Sequence, residues 1–152
     1  MNYAVKSFIS STAWTERTGF VAANATINYF TKNNVHKHIF SIGKQIKKGW
    51  ISLAKKNNIK LRVSDVIPLC TFFLDYSNKD QLYTFFSKEM LKHKIIASNS
   101  VYVSYAHKKK DIIKYLKICD KVFSKMNNFV KTKKKMKKSE IRYSGFTRLT
   151  RI

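Results

Sequence analysis

Apolar residues recur at Phe20, Ala23, Ile27 and Phe30, and this spacing predicts a helix running to about Lys32, with Thr15 as its N-cap and Glu16 in its first turn. The small residues Ala22, Ala23 and Ala25 leave room for close packing against it. A second helix is expected from about Val35 to Lys56, where Val35, Ile39, Ile42, Ile46, Trp50 and Leu53 share one face and the lysines fall largely outside it. Periodicity then changes from helical to alternating: "IKLRV" sets Ile59, Leu61 and Val63 against Lys60 and Arg62, as a half-buried strand does. Pro68 punctuates, and "LCTFFLDY" reads as a more apolar second strand. Leu82, Phe85, Phe86 and Met90 predict a third helix over 77–94, capped by Ser77 or Asn78. Extended pieces are expected at "IIAS" and "VYVSY", and Ile112, Leu116, Cys119 and Phe123 predict a fourth helix from about Lys109 to Met126.

This order, helix, helix, strand, strand, helix, strand, helix, fits a small α/β fold of the α+β layer type: a three- or four-stranded, mostly antiparallel sheet covered by helices on one face. From Asn127 the apolar period fades and lysines dominate, so 127–152 is expected to be a basic linker and tail.

Composition changes the picture in one respect. The formal net charge is +23, which by itself points to an anionic partner such as nucleic acid. Against this, the chain has 26 Lys and only 5 Arg, with 15 Ile and 11 Asn, the bias that an A+T-rich genome imposes through its codons. Arginine is the usual reader of phosphates and bases, and the lysines are spread over every expected helix except for the run "KTKKKMKK". A solvated lysine surface accounts for the charge, and nucleic acid is not the expected partner. The longest apolar stretch, "VIPLCTFFL", is far shorter than the roughly 20 residues that cross a bilayer. No secretory signal is apparent, and Cys70 and Cys119 sit in apolar patterns as buried thiols would in a reducing compartment, so a cytoplasmic location is expected.

No motif suffices for catalysis on its own. The four glycines are isolated, so there is no phosphate-cradling loop. His36, His38, His93 and His107 lack paired cysteines or acids at ligand spacing, which argues for surface histidines and no metal. Asp65 and Asp75 have no second carboxylate beside them in the sequence. The hydroxyls of "SST" ahead of the first helix can cap it or, with its free N–H groups, hold an anion.

Two blocks carry a resemblance. "SSTAWTERTGFVAANATINYF" and "SVYVSYAHKKKDIIKYLKICDKVF" resemble, in order and separation, the turn after the catalytic-lysine region and the C-terminal "S-x-A-H-T-x-x-D-I" segment of class III, fold type I, pyridoxal-phosphate (PLP) dependent aminotransferases. The similarity is greatest to the branch that contains glutamate-1-semialdehyde 2,1-aminomutase. It implies that residues 1–34 are the end of a large PLP-binding domain and its connector helix, and that 35–126 are the small C-terminal α/β domain. It implies a homodimer acting on a small amino or keto substrate, with Thr12 contacting the cofactor phosphate of the neighbouring subunit. Trp14, Thr15 and Glu16 match the pattern as shape-forming residues.

The resemblance assigns no catalytic residue here. The Schiff-base lysine, the acid at the pyridine nitrogen and the stacking aromatic of these enzymes lie upstream of this turn, and Lys6 is too close to it to be that lysine. The chain is therefore expected to be the C-terminal part of such an enzyme, inactive alone. Two departures, Asn99 where the aminomutases carry an acid and Lys108 where the family carries a threonine, shift the expectation toward a related aminotransferase. The competing expectation is a stand-alone basic module for nucleic acid.

Overall fold

The computed structural model describes residues 16–143. The chain divides into two units, residues 1–36 and 37–152. In the first, helix α1 spans Arg17–Lys32. Its cap position is Glu16, in extended conformation and without a side-chain hydrogen bond, so the acid stands at the cap and not inside the first turn. Thr15, the expected cap, lies outside the described residues. No residue of α1 is buried, and Phe20, Ile27 and Phe30 are 65%, 63% and 41% exposed.

Helix α2, Val35–Lys56, has the bounds its pattern predicts. It is followed by β1 (Leu61–Val63), β2 (Leu69–Leu74), α3 (Lys79–Lys92), β3 (Ser100–Tyr102) and α4 (Lys109–Lys131), with a 3₁₀ turn at Lys138–Glu140. The sheet is antiparallel in the order β1-β2-β3, with Leu61 opposite Leu74 and Cys70 opposite Val101. Alternation along β2 turns Cys70, Phe72 and Leu74 into the core. The helices meet that one face: Ile42, Ile46, Trp50 and Ala54 from α2, Leu82, Phe86 and Met90 from α3, and Cys119, Val122 and Phe123 from α4 are all buried in a single cluster. Phe72 is its centre, edge-on to Trp50 at 5.0 Å and to Phe86 at 5.2 Å between ring centroids. The buried indole N–H of Trp50 donates to the Tyr115 hydroxyl at 3.1 Å, as a buried tryptophan requires.

Three elements differ from expectation. "IIAS" forms no strand, because the Ile95 N–H closes the end of α3 on the Met90 carbonyl, and among the described residues the sheet has three strands. Asn78 occupies the cap of α3 but makes no side-chain cap bond. Helix α4 continues five residues past Met126 to Lys131, with Phe129 and Val130 against the core, so the segment expected as linker starts inside a helix. The chain beyond it returns to α3. The Arg142 N–H donates to Thr84 Oγ1 at 2.9 Å, and its guanidinium lies 4.1 Å from the centre of the Tyr83 ring and bonds Asp80 at 3.2 Å.

Two isolated glycines of α2 mark close approaches. A β-carbon on Gly43 would stand 2.5 Å from the Ile67 carbonyl oxygen, and one on Gly49 would stand 2.5 Å from Leu116 Cδ1. They let β2's entry and α4 approach the α2 backbone.

Candidate functional site

The block "SVYVSYAHKKKDI" is the best-formed of the segments that the sequence singles out. It leaves β3 at Tyr102, and Val103 N–H bonds the Pro68 carbonyl at 2.9 Å. The chain then turns on its own side chains. Ser104 N–H donates to His107 Nδ1 at 3.0 Å, and His107 N–H returns to the Ser104 carbonyl at 3.2 Å. Since Nδ1 is an acceptor there, the neutral ring carries its proton on Nε2. His38 Nε2 bonds the His107 carbonyl at 2.8 Å, and its ring meets Tyr105 edge-on at 5.1 Å. The serine and histidine of "S-x-A-H" thus serve to stop a strand and start a helix.

Helix α4 begins with Lys108 at its cap, a residue whose side chain has no acceptor for a free helix N–H. Asp111, three residues on, supplies the other half of a capping box by accepting the Lys108 N–H at 3.0 Å. A threonine at 108, as in the resembling family, would complete it.

Asn99 precedes β3 with a constructive role of its own. Phe72 N–H donates to the Asn99 carbonyl at 2.9 Å, while the Asn99 side-chain amide donates to the Phe72 carbonyl at 3.2 Å. Its Oδ1 accepts from Arg142 Nη1 at 3.3 Å. A carboxylate could accept from Arg142 but could not donate to Phe72. Arg142 is the residue that sequence reasoning missed: nothing in "RYSGFTRLTRI" predicts that one arginine bridges α3 and the start of β3.

Thr12, the expected contact to cofactor phosphate, lies outside the described residues, as does Trp14. The other candidates are not brought together. Among the described residues no group of three His, Cys, Asp or Glu could hold a metal, and no helix is long and apolar enough to cross a membrane. Burial pushes the Cys119 thiol up to about 12 against opposing hydrogen bonds from Tyr115 and Trp50, and burial raises Cys70 too, so neither is poised as a nucleophile. Asp65 and Asp75 are exposed.

Glu89 is the buried acid. It is 6% exposed and ion-paired with Lys92 and, at 2.8 Å, with Lys125. Burial works to raise its pKa, but the hydrogen bonds from Lys125 and Lys92 outweigh this and hold the carboxyl below its usual range. It is a structural anion, acceptor to two surface lysines.

A PLP group needs a lysine able to form a Schiff base in an enclosed site, an acid at the ring nitrogen and donors for its phosphate. No lysine among the described residues is buried, and the best candidate acids are exposed. The described residues do not by themselves fit that cofactor.

No protein-family model matches the chain, and no curated protein matches its sequence. Among solved structures, it is similar to the FumI protein of Sphingopyxis sp. in its PLP internal aldimine form, with a TM-score of 0.71 and 16% sequence identity. The similarity covers 86% of this chain and 32% of that one. At this identity the likeness concerns the fold alone, and the chain spans about a third of the length of FumI.

Proposed function

We propose that this chain is the C-terminal part of a PLP-dependent class III aminotransferase or aminomutase-like enzyme, the end of its large domain and the connector helix followed by the small C-terminal α/β domain. The observation that carries the reading is the shared fold, which extends over 86% of the chain and falls within a PLP-bearing protein. The resemblance of the turn around Thr12 and of the "S-x-A-H" block supports the finer assignment. On this reading PLP, when bound, supplies the electron sink for amino-group transfer. Its lysine and ring partners belong to a large domain beyond these residues. Within this chain, α2, α3, α4 and the sheet form a rigid support, and Thr12 donates a hydroxyl to the cofactor phosphate of a second subunit in a homodimer. Asn99 gives the sheet a donor where an acid would not, which favours an aminotransferase over the aminomutase.

The test is to read the coding sequence upstream of Met1 and in adjacent genes, and to express any lysine-bearing frame found there together with this chain. The expected result is a complex that keeps PLP through dialysis with an internal Schiff-base absorption band, weakened by Thr12→Ala. The isolated chain should show no such retained band. If no lysine-bearing segment is found, the reading fails. A second reading, a basic module that binds nucleic acid, is favoured by the +23 charge alone. Tight duplex binding lost steeply with added salt is its signature.

A further inference from the structure

A cavity of about 510 Å³ opens between residues 95–102 and the first turns of α4. That volume falls in the range of small-molecule sites. Its floor is apolar: Ile46 and Ile112 are 0% and 4% exposed, and Val101 lies beside them. Its mouth is apolar in a different way. Ile96 and Tyr102 line it while 96% and 77% exposed, two large side chains held in water with nothing of their own unit covering them. Bodies of this kind release water when an apolar molecule lies on them.

The polar part of the wall is mainly a set of donors. Lys114 lines the cavity and belongs to no ion pair among the described residues. His107 also lines it, and the Ser104 N–H at its Nδ1 leaves Nε2 as a proton donor. Ser98 and Ser100 line it too, but their hydroxyls are engaged within the sheet edge, Ser98 Oγ with the Ser100 backbone and Ser100 Oγ with Thr71 Oγ1. Asp111, the acid on the wall among the described residues, accepts the Lys108 N–H at the start of α4. The positive end of the α4 dipole adds to the preference for negative charge.

We propose that this cavity binds a small monocarboxylate with an apolar body of about six to eight carbons, its carboxylate at Lys114 and His107 and its chain over Ile46, Ile112 and the Ile96–Tyr102 mouth. The site needs no PLP chemistry and is complete within residues 46–115.

The experiment is an NMR titration of the ¹⁵N-labelled 152-residue chain with butanoate, hexanoate and octanoate, and with octylamine as a cation of the same length. The proposal expects saturable shifts confined to residues 95–102 and 107–115, with affinity rising about fourfold for each added methylene. Lys114→Gln should weaken octanoate by about three- to fivefold. Lys121→Gln, on an exposed part of α4 away from the cavity, should leave it unchanged. Ile96→Ser with Tyr102→Ser, both at exposed positions, should weaken octanoate while circular dichroism stays that of the parent. Equal binding of butanoate and octanoate, or shifts spread over the lysine surface, would mean simple ion pairing and overturn the proposal. Octylamine binding as tightly as octanoate would overturn it as well.

Discussion

Replacing Gly49 by alanine puts a methyl group into the side chain of Leu116. The new β-carbon would stand 2.5, 2.6 and 3.1 Å from the Leu116 Cδ1, Cδ2 and Cγ atoms. All three are closer than ordinary contact, so rotating one terminal methyl does not relieve the clash and the whole side chain must shift. Overpacking of this kind costs about 1–3 kcal/mol, and three short contacts argue for the upper half of that range. Alanine returns about 1 kcal/mol through helix propensity. Gly49→Ala should therefore destabilise the protein by about 1–2 kcal/mol. On a Leu116→Ala background the clash partner is absent and only the propensity remains, so the same substitution should stabilise by about 1 kcal/mol. The sign reversal corresponds to a coupling of about 2–3 kcal/mol between the two positions, read from urea midpoints of the parent, both single variants and the double variant at constant m. Stabilisation by Gly49→Ala in both backgrounds would refute the contact between α2 and α4 at this point.

Lys108→Thr should raise stability by about 0.5–1 kcal/mol, because threonine can accept a free N–H of α4 and a cation leaves the positive helix end. Lys108→Ala is the control, and a threonine variant no more stable than it in urea would show that the cap is not limiting. Glu89→Gln should cost about 1–2 kcal/mol at pH 7, less than a fully buried pair would lose because Lys92 and Lys125 remain free to hydrate. The folded pKa of Glu89 is depressed, so its contribution is present above the unfolded value near ~4.3 and is lost as pH falls through the folded value. The gap between parent and Glu89→Gln should accordingly close below about pH 4, and a gap that is constant from pH 7 to pH 3 would contradict the ion pairing. Arg142→Ala removes the contact over Tyr83 and a part-exposed pair with Asp80, together about 1 kcal/mol. A lysine-specific protease should then cut within residues 133–138 about fivefold faster, and an unchanged rate would show that Arg142 does not hold this segment.

Helices α2, α3 and α4 were legible because each sets an apolar stripe against lysines: Ile42, Ile46 and Trp50 alternate with Lys44, Lys47 and Lys48, and both ends of α2 fall where that contrast predicts. Strand ends were less so. A β ladder depends on a partner elsewhere in the chain, and "IIAS" has strand composition but gives its Ile95 N–H to the end of α3. The return of residues 132–143 could not be read at all. It rests on single bonds, from Arg142 to Asp80, Thr84 and Asn99, from the Met136 N–H to Gln81 and between Glu140 and Lys88, distant in sequence and without any period, and the lysines around it hide Met136 and Ile141. The glycines of α2 looked isolated for the same reason, since what requires them at 43 and 49 is Ile67 and Leu116.

The two departures from the resembling family carry different weight once their surroundings are known. At Lys108 the helix start keeps the Asp111 half of its box and has no side-chain half, the Asp111 N–H turning to the Lys108 carbonyl at 2.9 Å. Asn99 is different, because its amide closes a reciprocal pair with Phe72, the aromatic at the centre of the core, while its oxygen receives Arg142. An acid in its place would leave the Phe72 carbonyl without that donor and would place a carboxylate between the sheet and Arg142, so the position is tied to β2 and to the returning segment together. A side chain bonded to two elements in this way is harder to replace than an absent cap. Asn99, more than Lys108, is therefore the position that this fold ties down.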